Sequence, residues 1–173
     1  MITYRRMKLS EIERIAEVDR TEHVAKAYRQ IGDELEPFDV EWNAPPWSVP
    51  EMIEEWDLFL RDDCALWGAF DGERLVGFCG YRPNVAPGVG QFSLLHVSST
   101  YRRQGIGRRL AETLFAHAKG EPITSLYLTA TPTRGTVAFY GSLGFRPTDN
   151  PLPELLEMEP DDIHMVMALP TPG

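Results

Sequence analysis

Within residues 94–109 an apolar run, Leu94-Leu95-His96-Val97, gives way to Ser98-Ser99-Thr100-Tyr101 and then to Arg102-Arg103-Gln104-Gly105-Ile106-Gly107-Arg108-Arg109. Read as a strand, a short turn and a helix start, this stretch gathers what a phosphorylated ligand needs. The first helical turn leaves its N–H groups unpaired at the positive end of the dipole, and both features hold phosphate oxygens. Gly105 and Gly107 let a ligand approach the backbone without interference from Cβ. The arginines add charge-assisted, bidentate contacts. The combination favours a pyrophosphate. A dinucleotide fingerprint would need a glycine where Leu110 stands, and a P-loop would need Gly-Lys-Ser/Thr; both are absent.

The segment resembles the signature of the GNAT superfamily of N-acetyltransferases, Arg/Gln-x-x-Gly-x-Gly/Ala after a central strand. Arg102-Arg103-Gln104-Gly105-Ile106-Gly107 matches every fixed position, with Leu95-x-Val97 before it and the aromatic Tyr101 alongside. Further on, Ala138-Phe139-Tyr140-Gly141-Ser142-Leu143-Gly144-Phe145 is similar to the family's second hallmark, a helix ending in a Tyr-x-x-x-Gly-Phe turn. The resemblance covers residues 65–169 well and residues 1–64 only by element order.

What the resemblance implies is an acyl-CoA site. Backbone groups of Leu95 and Val97 would meet the pantetheine and the thioester carbonyl. An N–H near Val97 would face the developing oxyanion. Amides across Arg103, Gln104, Gly105, Ile106, Gly107 and Arg108 would hold the pyrophosphate, with Arg102 beside them. Tyr140 matches the family tyrosine that protonates the departing thiolate, which a phenol of pKa ~10 does only within hydrogen-bond reach. Thr133 stands where the family commonly has Asn, as a polar contact to the cofactor. Many members carry Glu or His as a base on the central strand. Here Gln91 and Ser93 take the inward positions, and alternation puts His96 with Phe92 and Leu94 on the opposite face. No base is assigned; water or a carboxylate from the acidic N-terminal part or from residues 154–162 remains.

The activity implied is transfer of acetyl from acetyl-CoA to a primary amine by direct attack, without a covalent enzyme intermediate. The acceptor is a small-molecule amine or a protein amine. A small cationic amine is favoured because residues 33–41 are acidic and lie near Trp42 and Trp47. The alternative is a non-catalytic acetyl-CoA sensor or interaction module. The family often pairs, so a homodimer is compatible with the resemblance.

The elements that must carry these groups are legible in part. Ile2–Arg5 reads as a strand, and Leu9, Ile12, Ile15 and Ala16 space a helix over about residues 8–19. Residues 20–47 resist assignment. Ser48 with Glu51 fits a capping box, Pro50 suits a first turn, and Met52, Ile53, Trp56, Phe59 and Leu60 form an apolar face. Ala65–Phe70 and Leu75–Tyr81 flank Asp71-Gly72 as a hairpin. Residues 83–90 read as a loop, 91–97 as a central strand, and 103–119 as a helix closed by Gly120. A strand over 125–129, a short helix over 133–142 and a closing strand over 163–169 complete a mixed α/β fold, a splayed central mixed sheet flanked by helices.

With 173 residues, 43% of them hydrophobic, the chain is sized for one domain, an acyl-CoA-binding core over about 65–169 and a substrate-side region over about 20–63. Residues 21–63 hold twelve acids and three bases, an imbalance equal to the whole net charge of −9. An acidic protein repels a nucleic-acid backbone, so no nucleic-acid partner is expected. No apolar run reaches the roughly 18 residues that cross a bilayer, so no membrane partner is expected either. Met1–Arg6 carries charge with no apolar core behind it, so a secretory signal is not expected and a reducing cytoplasmic setting is. Four histidines without ligand spacing predict no metal, and Cys64 and Cys79 read as small core residues.

Overall fold

The computed structural model describes residues 1–170. Seven strands form a sheet in the order β1-β4-β5-β6-β7-β9-β8, where β1 is Ile2–Met7, β4 Ala65–Asp71, β5 Arg74–Ala86, β6 Val89–Val97, β7 Ser125–Ala130, β8 Arg146–Pro147 and β9 Ile163–Ala168. All neighbours run antiparallel except β6 and β7. On one face pack α2 (Ile106–Ala118) and α3 (Arg134–Leu143), burying Leu110, Leu114, Val137 and Phe145 against Val76, Cys79 and Leu128. On the other face lie a 3-10 helix, Leu9–Glu17, and α1 (Val49–Glu55), which bury Ile12, Ile15 and Met52 against Phe78 and Leu94. Strand β4 is covered on both faces, which explains its unbroken apolar run.

The segment without a sequence assignment is a hairpin of its own, β2 (His23–Ile31) and β3 (Glu34–Asn43), turning at Gly32 with φ +65°. Gly32-Asp33 is a legible two-residue turn, but the apolar positions of β3 change parity between Leu35 and Phe38, across Pro37, so no single alternation runs through the strand. The expected loop over 83–90 is a correction: β5 and β6 both extend into it and turn at Pro87-Gly88. Pro83 is tolerated because β4 ends its pairing with β5 at Tyr81, so no neighbouring strand on that side needs its missing N–H. Ser48 precedes α1 as expected but makes no side-chain cap, and the helix stops at Glu55; Phe59 comes into the core from a separate 3-10 turn. Helix α2 starts at Ile106 rather than near 103, because Arg103 and Gly105 have φ of +62° and +82°. Pro153 opens a further short helix, α4 (Pro153–Met158), which the sequence reading left unassigned.

Candidate functional site

The site begins where β6 and β7 separate. Their parallel pairing covers only Val89↔Ser125 to Gln91↔Tyr127; beyond Gln91 the strands splay. Across β5 the register passes from Tyr81↔Phe92 to Gly80↔Leu94, so Ser93 is the extra residue of a β-bulge. The bulge reverses the side-chain alternation. Phe92, Leu95 and Val97 all join the core on the α2 and α3 face, whereas Leu94 and His96 join Phe78, Trp47 and Trp56 on the other. The expectation that Phe92 shares a face with Leu94 and His96 is therefore corrected.

Past the bulge, the Ser98 amide donates to Val76 O of β5 at 2.8 Å. Ser98, His96 and Leu94 thus aim their backbone groups at β5, while Leu95 and Val97 aim theirs into the gap. Val97 O in that gap accepts from Arg102 Nε at 3.1 Å, and Arg102 Nη1 reaches Thr21 O at 3.4 Å. The Val97 N–H and both backbone groups of Leu95 remain for a ligand. Arg102, expected beside the pyrophosphate, braces the turn through Nε and Nη1, and its Nη2 has no partner among the described residues.

The turn after β6 is pinned by Asp19, which sequence reasoning did not single out. Ser98 Oγ accepts from the Asp19 N–H at 2.9 Å, the Ser99 N–H donates to Asp19 O at 2.8 Å, and Ser99 Oγ donates to the carboxylate at 2.6 Å. With Thr21 also donating, these bonds hold the Asp19 carboxyl down to about 2. Partners 79 and 80 positions apart in the chain leave no local signal for this brace.

In α2 the first helical bond after Gly105 runs from the Arg109 N–H to Gly105 O, so the amides of Ile106, Gly107 and Arg108 have no intrahelical acceptor. Nothing stands within 4 Å of a Cβ at Gly105; its glycine is required by the left-handed φ. A Cβ on Gly107 would lie 3.4 Å from the Phe139 ring, an ordinary van der Waals contact, so the packing of α2 on α3 does not itself require glycine there. Arg103, Gln104 and Arg108 are exposed around these amides. Arg108 Nη2 donates to Ser142 Oγ at 3.0 Å, and neither Arg103 nor Arg108 pairs with a carboxylate among the described residues. Arg109 is 3.7 Å from Glu112 on the outer face of α2.

Tyr140 enters the gap from α3. Gly144, at φ +110°, ends that helix, and the Phe145 N–H returns to Tyr140 O at 3.1 Å, which brings Phe145 under the tyrosine. The Tyr140 ring packs against Phe92, Phe139 and Phe145, with centroids 5.8, 5.5 and 6.1 Å away. Its hydroxyl makes no hydrogen bond among the described residues, while the fully buried oxygens without a partner are Tyr81 OH and Ser93 Oγ. Burial, with Cys79 and Asp162 nearby, raises the phenol well above its ordinary value, so it keeps its proton at neutral pH. Thr133 caps α3: its Oγ1 accepts the Thr136 N–H at 3.2 Å and donates to Thr136 Oγ1 at 2.7 Å. That hydroxyl is engaged within the chain.

Beside the end of β7 the β2–β3 hairpin encloses a cavity of about 820 Å³. The hairpin is tied down by the Tyr28 N–H to Pro132 O, a bridge between Ala27 and Thr133, and Gln30 Nε2 to Thr148 O at 2.7 Å. Alternation along β3 turns Phe38, Val40 and Trp42 into the cavity and Asp39 and Glu41 outward, where they pair with Lys26 and His23. The acids expected to meet an amine therefore face solvent. Their place is taken by Asp149, Asp161 and Asp162, which line the opposite wall. Trp47 stands apart from Trp42: its Nε1 donates to Val18 O at 2.7 Å, and its ring packs on Trp56 and His96.

Burial, with Glu159 and Asp161 adjacent, pushes the Asp162 carboxyl up to about 7. Its position is fixed from below. Glu159 O can only accept, so His164 Nε2, 2.9 Å away, carries the proton and Nδ1 accepts from the Tyr127 hydroxyl, which in turn accepts the Leu152 N–H at 3.1 Å. His96, by contrast, is driven down to about 3 by burial and by the Arg20 and Arg102 guanidinium groups, and is no proton acceptor at neutral pH.

A family model described as the acetyltransferase (GNAT) family matches residues 24–145. Among curated proteins, N-acetyltransferase 8B of Rattus norvegicus is 37% identical over 112 residues, 61% of this chain and 50% of that protein. N-acetyltransferase 8 of the same organism is 33% identical over 129 residues, 70% of this chain and 58% of that protein. The chain spans about half the length of these relatives. Among solved structures, a putative streptothricin acetyltransferase from Bacillus anthracis str. Ames in complex with acetyl coenzyme A superposes with a TM-score of 0.74 at 16% identity, covering 98% of this chain and 99% of that one. Nourseothricin acetyltransferase does so with a TM-score of 0.73 at 16% identity, covering 98% and 99%. At such identity the likeness is one of fold.

Proposed function

The chain belongs to the GNAT acetyltransferase family, and from that premise we propose that it transfers an acetyl group from acetyl-CoA to the primary amine of a cationic acceptor. The observation that carries the reading is the gap between β6 and β7, where Leu95 and Val97 leave backbone groups unpaired beside the free amides of α2 and the unpartnered Tyr140 hydroxyl. These three kinds of hydrogen-bonding group stand on the elements that border the β6–β7 gap. A pantetheine fits the first and a diphosphate the second.

Acetyl-CoA held there supplies an activated acyl carbon and a thiolate leaving group. The α2 amides, with Arg103 and Arg108, hold the diphosphate and thereby set how far the acyl end reaches. In this reading the Val97 N–H, unpaired in the gap, stabilises the oxyanion charge. Asp149, Asp161 and Asp162 draw an ammonium into the cavity, and Asp162, poised near neutrality, takes its proton so that a neutral nitrogen attacks. Tyr140 donates its proton to the departing sulfur. The strand-borne carboxylate of other members is replaced here by one at the start of β9.

Release of CoA thiol, followed with acetyl-CoA and a panel of primary amines, tests this reading. Turnover with at least one amine is expected. Tight binding of acetyl-CoA with no turnover on any amine would overturn it in favour of a sensor.

A further inference from the structure

Resting on the acetyl-transfer reading, the cavity walls narrow the acceptor class. Among the described residues five large hydrophobic side chains are exposed, and three of them, Phe38 (38% exposed), Trp42 (42%) and Leu156 (40%), line this one cavity. A water-facing apolar cluster at the mouth of a pocket marks a surface that something covers. The charges say what. Asp39 and Glu41, which would neutralise the far end of a polycation, are turned away from the cavity by the alternation of β3. On the same wall stands Arg29, its guanidinium 5.2 Å from the Phe38 ring centroid. A second or third ammonium reaching that wall would meet the like charge of Arg29, which already occupies the face of Phe38, with no carboxylate to pair with. Carboxylates occur on the opposite wall alone, at Asp149, Asp161 and Asp162.

We propose that the acceptor is a primary amine bearing one aromatic or bulky apolar group, its apolar body against Phe38, Trp42 and Leu156 and its amine directed to the Asp161–Asp162 wall. The cavity, at about 820 Å³, lies within the range that holds such a small molecule. The occupant so described is amphipathic, with one cationic end and one apolar end, and the cavity is its complement.

The test compares tryptamine and phenethylamine with putrescine, spermidine and an aminoglycoside, on the full chain. Catalytically, kcat/KM for the aryl amines is expected to exceed that for the polycations at least tenfold. Trp42→Ala should raise KM for tryptamine about tenfold more than KM for ethylamine; Leu156→Gln, on the exposed side of α4, provides a second reading with the same direction. Without acetyl-CoA, tryptamine should slow deuterium exchange in residues 36–42. Polycations that match or beat the aryl amines would overturn the proposal, as would an unchanged KM in both variants. A dimer held through the hairpin and dissolved by Trp42→Ala would overturn it too, assigning the apolar rim to a second copy. Protection by tryptamine without turnover of any amine would leave the cavity's ligand class standing and defeat the acetyl-transfer reading alone.

Discussion

Replacing Asp162 by Asn separates stability from catalysis in a way that the geometry allows to be worked out. The native carboxyl titrates at about 7 against an ordinary 3.8, chiefly because burial disfavours its charged form. A raised acid binds its proton more tightly in the folded state. Its contribution to stability is therefore complete below 3.8, lost as pH climbs from there to 7, and level above. At about 1.36 kcal/mol per pH unit the loss reaches about 4 kcal/mol at pH 8, and screening of the Glu159 and Asp161 charges brings it to about 2–4. Asn is neutral at every pH and escapes it. Urea unfolding should show Asp162→Asn more stable than the parent by about 2–4 kcal/mol at pH 8, the difference shrinking towards zero near pH 4. The same variant should lose about 10²–10⁴-fold in kcat/KM, together with the fall in parent activity below pH 7. A variant no more stable at pH 8, or one that keeps the parent rate and its inflection near 7, would refute the reasoning.

Further outcomes follow from single groups. Tyr140→Phe should lower kcat by about 10²-fold or more while acetyl-CoA affinity by calorimetry stays within a few-fold, because the ring's packing is retained and only the proton donor is lost. Gly105→Ala should cost about 1–2 kcal/mol in urea unfolding, since its φ of +82° burdens any Cβ although the space around it is open. Thr133→Ala should cost about 1 kcal/mol through the lost α3 cap and leave acetyl-CoA affinity nearly unchanged; a large affinity loss would restore its hydroxyl to the cofactor. Asp19→Ala should weaken acetyl-CoA binding without touching the ligand, by loosening the Ser98–Ser99 turn, and calorimetry measures the change.

The His164–Tyr127 pair and the Asp19 brace show how the two halves of the crevice are held. Neither group faces the gap directly. Each ties a segment that carries reactive or binding groups to a distant part of the chain: residues 159–162 to β7, and the β6–α2 turn to the end of the first 3-10 helix. Preorganisation of this kind keeps donors aligned without reorganisation during the reaction.

The local signals in the sequence determined the strand–turn–helix of residues 91–118, the Gly-Phe turn behind Tyr140 and the family they imply, because glycine φ, helix-end chemistry and apolar periodicity act over a few residues. The hairpin over 23–43 was less legible, since the apolar residues of β3 change parity across Pro37 and no single period runs through it. What only the tertiary structure decided was which groups share a space. A single bulge at Ser93 reassigned the faces of β6, Arg102 proved to serve the turn, and Asp162 came to a cavity wall whose other side is built more than a hundred residues earlier in the chain. Long-range packing sets burial, and burial sets the charge state of that carboxyl; no neighbour along the chain carries the information.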